Sequence, residues 1–456
     1  MIGVAVASGK CGVRRYRDGN SKPFKKWKGD AMTEHTDRRE FLESLGVTAA
    51  GVLAAGYSAT AKGFAANETI NVGCIGTGGR CRRLMESLRT IPGVKIVAVC
   101  DVWDTALEAG KKLAEPNAFS TKDHRALLDR KDIDAVVIGS PDHWHVPLTI
   151  DACAAGKDVY VEKPLTHDMS EGTAVVDAQN KYRRIIQVGT QQRSMPHIQK
   201  ANEIIKSGQL GDVLKVHLTW NRNSPRANRP KDSIDPKSVD WKRFLGNAKD
   251  QPFDEYRMRQ WRWFWDFGGG IFTDLMVHWI DVVHWILDLD HPQSATSVGD
   301  FFMAKDLWET PDTVQTLLRY ERGAGLQPAK SAAGQVENLP HLQAYFEGTF
   351  SNARNGSMVE FRGTEGTLYI DRGGYVIQPD RNKKLKPSEL ILGEGPRGAD
   401  FYNVPEGETL HLANWIECIR SRKKPTAPAE AGVSSASAAH MANLALRTGA
   451  VANWTK

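Results

Sequence analysis

From Ile70 onward the chain alternates short apolar runs with longer polar segments of helical character. The runs at 70–76 (INVGCIG), 94–100 (VKIVAVC), 135–141 (AVVIGSP), 157–162 (KDVYVE) and 184–189 (RIIQVG) are rich in Val and Ile. They are too short for helices and bounded by turn residues, so each predicts a buried strand. The intervening segments, beginning with 79–90, predict helices. Near-continuous apolar strands separated by helices are the pattern of a parallel sheet covered on both faces, a doubly wound α/β domain. Before Ile70 the pattern differs: residues 45–61 (LGVTAAGVLAAGYSATA) carry no charge, yet Ala and Gly keep the run only mildly apolar.

The first strand runs into Gly76-Thr77-Gly78-Gly79-Arg80-Cys81, and Asp101 closes the second strand. Glycines at a strand-to-helix turn let the backbone approach a pyrophosphate held at the helix N-terminus. A carboxylate at the end of the second strand accepts bonds from the adenosine ribose. Gly76, Thr77, Gly78, Gly79, Arg80 and Asp101 are therefore the candidate dinucleotide cradle. Asp101 would repel a 2′-phosphate and favours NAD over NADP, with Arg80 as a partial offset. Cys81 stands where a third glycine or alanine is usual, a position that packs helix on strand.

The 456 residues, 41% hydrophobic and 25% charged, suit two or three globular domains and exclude a disulfide-stapled mini-protein or a disordered chain. The formal net charge of +6 invites a nucleic-acid reading, but residues 1–31 alone carry +6 and the remainder sums to zero. No nucleic-acid partner is expected. Arg38-Arg39, the uncharged run and Ala59-Thr60-Ala61 form the n-region, h-region and cleavage pattern of a signal peptide. The arginine pair with a weak apolar core resembles a twin-arginine (Tat) export signal. Met32 lies four residues before that motif, so 1–31 is read as a non-native upstream extension and 32–66 as the signal. The mature protein is then exported by the Tat machinery, periplasmic or outside the cell, without a stable membrane anchor. Six cysteines without a Cys-x-x-Cys spacing argue against a zinc site or disulfide framework.

Four further segments occur in order: Ser140-Pro141-Asp142-His143-Trp144-His145, Glu162-Lys163-Pro164, Gly268-Gly269-Gly270, and Asp274 with His278. With GTEGTLYI (363–370) and the helical WIECIRSRKKP (415–425), they make the chain resemble the Gfo/Idh/MocA oxidoreductases from about Ile70 to the C-terminus. The resemblance implies a Rossmann domain over 67–190. It also implies a second α/β domain over 191–456, built on a large open, mostly antiparallel sheet, with C-terminal helices returning to the core. A homodimer or homotetramer is implied as well. Lys163 matches the family's catalytic lysine, and Asp274 and His278 its Asp-x-x-x-His pair, which spacing of four puts on one helix face. Ser140, His145 and Glu162 match positions that line the cofactor pocket. A metal site from Asp274, His278 and His284 lacks a convincing third ligand, so none is expected.

Oxidation of a secondary alcohol needs a base, a cation for the developing alkoxide and the nicotinamide against the C–H. His278, with an ordinary pKa near ~6.5, is the first choice of proton acceptor, Lys163 the cation, and Asp274 the group orienting His278 or a neighbouring hydroxyl. The lysine and histidine roles are exchangeable at this level. Seven of the 13 tryptophans fall between Trp220 and Trp285, and flat indoles can stack on a sugar ring. Trp263 and Trp265 are the candidate stacking residues, with Arg193, Asn221 and Arg222 reading hydroxyls. The family's habit makes a sugar, polyol or glycoside the expected substrate. Export implies NAD that stays bound and is regenerated within each cycle. Two reactions fit, sugar oxidation and NAD-assisted glycosidic cleavage; a catalytically silent sugar-binding protein is the alternative of another class. The segment 323–345 has loop composition and reads as a substrate-facing insertion or plain surface.

Overall fold

The computed structural model describes residues 69–224, 233–321, 341–391 and 407–455. The leader and most of the segment 323–345 lie outside them; residues 341–345, expected as loop, open a strand.

The Val/Ile runs form the predicted sheet. Strands β1 (Ile70–Ile75), β2 (Val94–Cys100), β3 (Phe119–Thr121), β4 (Ala135–Ile138), β5 (Asp158–Val161) and β6 (Ile186–Val188) lie in the order β3-β2-β1-β4-β5-β6. All neighbours are parallel. β4 and β5 are buried along their whole length, which explains why they show no alternation in the sequence. β3, three half-buried residues, leaves no apolar signature and is absent from the sequence reading. The chain order reverses between β1 and β4, so the mouth of the sheet opens beside the first glycine turn, where ligands of such sheets gather.

The second sheet has nine strands: β7 (Val213–Asn221), β8 (Ser294–Asp300), β9 (Thr313–Glu321), β10 (His341–Thr349), β11 (Ser357–Gly363), β12 (Gly366–Asp371), β13 (Gly374–Pro379), β14 (Ser388–Ile391) and β15 (Ala452–Asn453). Their order is β14-β13-β12-β11-β7-β10-β9-β8-β15, antiparallel except where β10 runs parallel to β7. The α/β architecture with an open, mostly antiparallel second sheet is as expected. β9 alternates buried and exposed residues without a break, so one face of the sheet is core.

Four helices bear on the site: α1 (Gly79–Leu88) follows the glycine turn, α2 (Val277–Leu287) is buried nearly all round, and α3 (Gly407–Ser421) and α4 (Ala429–Thr448) come from the C-terminal segment. α3 packs on α1, and α4 packs on β8 and α2. The expected helix over 415–425 ends at Ser421, because Arg422 turns into the left-handed region at φ 57° and Pro425 follows. Cys74, Cys81, Cys100, Cys153 and Cys418 are free and buried, small apolar residues as read from the sequence. Among the described residues no helix is long and apolar enough to cross a membrane.

Candidate active site

Two adjoining cavities lie at the carboxyl ends of the parallel strands. The first, about 380 Å³, is bordered by the glycine turn, Asp101, Trp103 and Trp144. The second, about 540 Å³, is bordered by Glu162, Lys163, Asp274, His278 and Trp220. Arg80, Gly139, Ser140, Arg259, Trp261 and Arg262 border both, so the two form one continuous site.

The floor of the first cavity is built by glycine. Gly76 has φ +76°, and a Cβ there would meet Ser140 N at 2.6 Å. A Cβ on Gly78 or Gly79 would meet nothing within 4 Å, so both face open space at the start of α1. Cys81 fills the third-glycine position because the complementary glycine lies across from it: a Cβ on Gly139 would meet Cys81 Cβ at 2.7 Å. Ser140 Oγ is buried with no hydrogen-bond partner, an orphan polar atom beside both cavities. Open space over a helix N-terminus, an unpaired hydroxyl and a carboxylate at the end of β2 fit a dinucleotide.

The predicted cradle residues divide into those that face the cavity and those that hold it. Asp101 faces it; its Oδ1 accepts from Trp103 N (2.9 Å), and burial pushes the carboxyl up to about 6. Thr77 does not border either cavity by its side chain. Its hydroxyl donates to Ala106 O (2.9 Å) and sits 3.5 Å from Asp101 Oδ2, tying the turn to the second strand. Arg80, expected as an offset to Asp101, is instead committed to two carboxylates, Glu162 (2.8 Å) and Glu408 at the start of α3. His145 has Nδ1 2.6 Å from Pro164 O and Nε2 3.0 Å from Ser140 O, so it ties the cofactor turn to the lysine turn. Burial lowers its pKa to about 4, and a neutral ring donates to one of those carbonyls at a time.

A segment of the second domain roofs the first cavity. Val239 bridges Trp103, Asp240 N donates to Val102 O (2.9 Å), and Trp144 Nε1 donates to Phe244 O (2.9 Å). Met258, Arg259, Trp261 and Arg262 follow on the same segment and complete the wall.

In the second cavity Lys163 and Asp274 meet. Lys163 Nζ donates to the Asp274 carbonyl (2.7 Å) and to Oδ1 (3.0 Å), and Arg262 Nε donates to the same Oδ1 (3.0 Å). Asp274 lies in a π-helical turn, Phe272–Met276, that runs into α2, so the expected uninterrupted α-helix is widened by one turn at this position. His278 is 8% exposed, its ring stacks on Trp220 (centroids 5.2 Å apart, 28° between planes), and Nδ1 has no hydrogen-bond partner. Burial, with the charges of Lys163 and Arg372, holds its pKa well below the ordinary value. The near-neutral titration expected of His278 is corrected: the imidazole is neutral and a weak base. Asp142, buried on the same wall, has its carboxyl raised well above the usual range, burial being the main cause.

Several substrate expectations are corrected. Arg193 is 6% exposed and borders neither cavity; its guanidinium clamps Asp281 through 2.7 and 2.8 Å bonds and donates to Thr426 O. A buried guanidinium needs a carboxylate, and Asp281 on α2 supplies it inside the core. Trp263 borders the second cavity but is 1% exposed, stacked on Trp308 with centroids 4.3 Å apart, so it is core. Trp265 borders neither cavity; its Nε1 donates to Glu309 O (3.1 Å), and Arg447 covers its ring. Asn221 is spent on Arg354 O (2.8 Å), whereas Arg222 does border the second cavity. Of the clustered tryptophans, Trp261 borders both cavities, and Trp220, 2% exposed and stacked on His278, borders the second as part of its buried wall. Sequence reasoning had both in its cluster but no means to rank them, and Glu408 and Arg372 carried no signal at all. Among the described residues no cluster of three metal-ligating side chains occurs.

A Rossmann sheet with a glycine cradle, joined through one cavity to a wall of Lys163, Asp274 and His278 shared with a second domain, defines a two-domain NAD-binding protein. Residues 70–190 match the oxidoreductase family, NAD-binding Rossmann fold model of GFO/IDH/MocA, and residues 198–369 match the GFO/IDH/MocA C-terminal domain. The chain belongs to that family. A glycosyl hydrolase family 109 protein of Saccharopolyspora erythraea is 34% identical over 171 residues, 32% of this chain and 37% of that protein. An inositol 2-dehydrogenase of Gluconacetobacter diazotrophicus is 30% identical over 261 residues, 56% of this chain and 65% of that protein. This chain thus aligns with less than two thirds of either relative's length. A solved levoglucosan dehydrogenase in complex with NADH and levoglucosan is similar in fold, with TM-score 0.63 and 18% identity over 85% of this chain and all of that one.

Proposed function

We propose that this protein is an exported NAD-dependent oxidoreductase that oxidises a secondary hydroxyl of a sugar or glycoside, with NAD remaining bound through the cycle. The observation that carries the reading is the convergence of Lys163, Asp274 and His278 on the cavity that continues from the glycine cradle. Sugar-directed relatives, an inositol 2-dehydrogenase among them, support the substrate class. When bound, NAD supplies the two-electron acceptor for the carbinol C–H.

The turn at Gly78 and Gly79 and the N-terminus of α1 would hold the pyrophosphate, and Asp101 would accept from the ribose. The Asp101 carboxylate, with Arg80 engaged elsewhere, favours NAD over NADP. In the second cavity His278 offers a neutral ring nitrogen to the reacting hydroxyl and orients it. Lys163, paired with Asp274, is the cation that stabilises the developing alkoxide, and the neutral ring of His278, a weak base beside Lys163 and Arg372, is the group that takes the hydroxyl proton as the hydride leaves. Asp274 fixes the lysine's position through Oδ1, which Arg262 shares.

The test is the ultraviolet spectrum and mass of the small molecule that copurifies, followed by a sugar panel monitored at the absorbance of reduced nicotinamide. Bound NAD that is reduced by a sugar is the expected result. A protein that neither carries nor takes up NAD would sink the reading. The likeness to a glycosyl hydrolase family 109 protein favours a second reading, cleavage of a glycoside through transient oxidation at the same site. Aryl glycosides separate the two: phenol released without an added acceptor means cleavage, an accumulated keto product means net oxidation. Export is tested by N-terminal sequencing of the mature protein, which should begin after Ala61.

A further inference from the structure

Asp142 is a buried carboxyl with no part in the transfers assigned to Lys163, His278 and NAD. It is 3% exposed and borders the second cavity, while Ser140, two residues earlier, borders both. It therefore stands just beyond the junction of the two cavities. Its carboxyl makes no hydrogen bond and no ion pair among the described residues. The charged groups that act on it are Lys163 and Glu162 at the end of β5, Asp274 in the π-turn and Arg262 on the roof segment. His143 and His145, on its own turn, are neutral, their pKa values lowered to about 4 by burial. The neighbouring cations are already matched. Lys163 and Arg262 both reach Asp274 Oδ1, and Arg80 is held by Glu162 and Glu408. A carboxylate buried without a cation or a donor of its own is costly, so in the free protein Asp142 is pushed toward its neutral form. A cation delivered into the second cavity would reverse that. A dinucleotide with its adenosine ribose on Asp101 and its pyrophosphate over Gly78 and Gly79 would turn its other end toward this cavity. The oxidised nicotinamide ring is a cation, and the reduced ring is neutral.

We propose that Asp142 is the counter-ion of the oxidised nicotinamide, a carboxylate while the bound ring is cationic and a neutral acid once the ring is reduced. The proposal rests on the NAD-dependent oxidation read from the same site, and adds to it where the released proton is kept. Charge and atoms balance inside the cavity. The alcohol gives up a hydride and a proton and becomes a neutral carbonyl; the hydride removes the charge of the ring, and the proton removes that of Asp142. His278 takes the hydroxyl proton first and is neutral again once Asp142 holds it. The buried wall then carries the same net charge before and after oxidation, which a low-dielectric site favours.

The experiment exchanges NAD+ against NADH on the full chain and follows the fluorescence of bound NADH, so a nucleotide that copurifies does not interfere. Both forms share the adenosine end, so the titration of Asp101 cancels in their affinity ratio. In the parent the preference for NAD+ over NADH should rise about tenfold or more between about pH 5 and pH 9, as Asp142 ionises beside one form only. Asp142→Asn keeps the size of the side chain and should melt like the parent. It should flatten that rise and lower the preference at pH 8 by about tenfold or more. Calorimetry in two buffers of different ionisation enthalpy needs no variant: replacing NADH by NAD+ should release a proton, up to about one per site. A flat ratio with no proton released in the parent, or a rise that Asp142→Asn retains in full, would overturn the proposal. A chain that binds neither form overturns the cofactor reading as well; one that binds both and oxidises a sugar, with a flat ratio, overturns the role of Asp142 alone.

Discussion

The ammonium of Lys163 reaches Asp274 twice, through the backbone carbonyl at 2.7 Å and through Oδ1 at 3.0 Å, although 111 residues separate them. The contact joins the end of a Rossmann strand to a π-turn of the second domain, so this wall of the cavity exists only when both domains are assembled. Lys163→Ala should keep NAD bound and lose about 10³-fold or more of turnover, since it removes the cation that stabilises the developing alkoxide. Asp274→Asn keeps one of the two acceptors and should lose less. Pre-steady-state reduction of bound NAD checks both. Full activity of Lys163→Ala would remove the lysine from the mechanism.

Gly76 and Gly78 should separate folding from binding. Alanine at Gly76 forces a side chain into φ +76° and against Ser140 N, so that variant should be destabilised and bind NAD poorly. Alanine at Gly78 meets no protein atom and should melt like the parent while losing NAD affinity. Thermal melts with and without NAD read both effects. A Gly78→Ala variant with parental affinity would take the pyrophosphate away from this turn.

Asp101 gives the cofactor site a pH dependence whose sign follows from burial. Its carboxyl is raised from 3.8 to about 6, so in the free protein it is protonated below that value. Its contribution to stability is complete below pH 3.8 and lost as pH rises through about 6, because the fold favours the neutral form. NAD needs the carboxylate as a ribose acceptor, so affinity should fall as pH drops below about 6. Asp101→Asn should weaken NAD binding at pH 8 and flatten the profile. Calorimetric titration between pH 5 and 8 is the measurement, and an unchanged profile in the variant would assign the titration to another group.

Arg193 should behave as a structural residue. Arg193→Met leaves Asp281 buried without its cation, at a cost of about 3–5 kcal/mol. The loss should show in chemical denaturation, with KM for any sugar close to the parent's in the fraction that folds. Trp263→Ala belongs to the same class, about 3–5 kcal/mol for an emptied core site. Trp261→Ala, by contrast, should raise KM, because that indole borders both cavities.

The sequence carried the parallel sheet because strands buried on both faces are written as unbroken Val and Ile runs, whatever packs over them. It carried the glycine turn because φ +76° next to Ser140 admits only glycine. Lys163, Asp274 and His278 were legible for a different reason: each lies in a short motif of the family that the chain resembles. Asp101 was readable from its place at a strand end.

Tertiary structure alone decided the rest, since what a side chain touches is set by segments distant in the chain. Arg80 and Arg193 look alike in the sequence, two arginines near glycine- or glutamine-rich turns, and each is consumed by a carboxylate from far away, Glu408 and Asp281. Trp261, Trp263 and Trp265 alternate within five residues, and only packing turns one to the cavity, one into a stack with Trp308 and one toward Glu309. Nothing in the sequence marks His278 as unusual; burial and the charges of Lys163 and Arg372 lower its basicity. Local sequence thus determined the strands, the turn and the identity of the candidate site residues. The assembled fold determined their protonation, their partners and which of them face a substrate, because burial and Coulomb interactions depend on distances in space, not on separation along the chain.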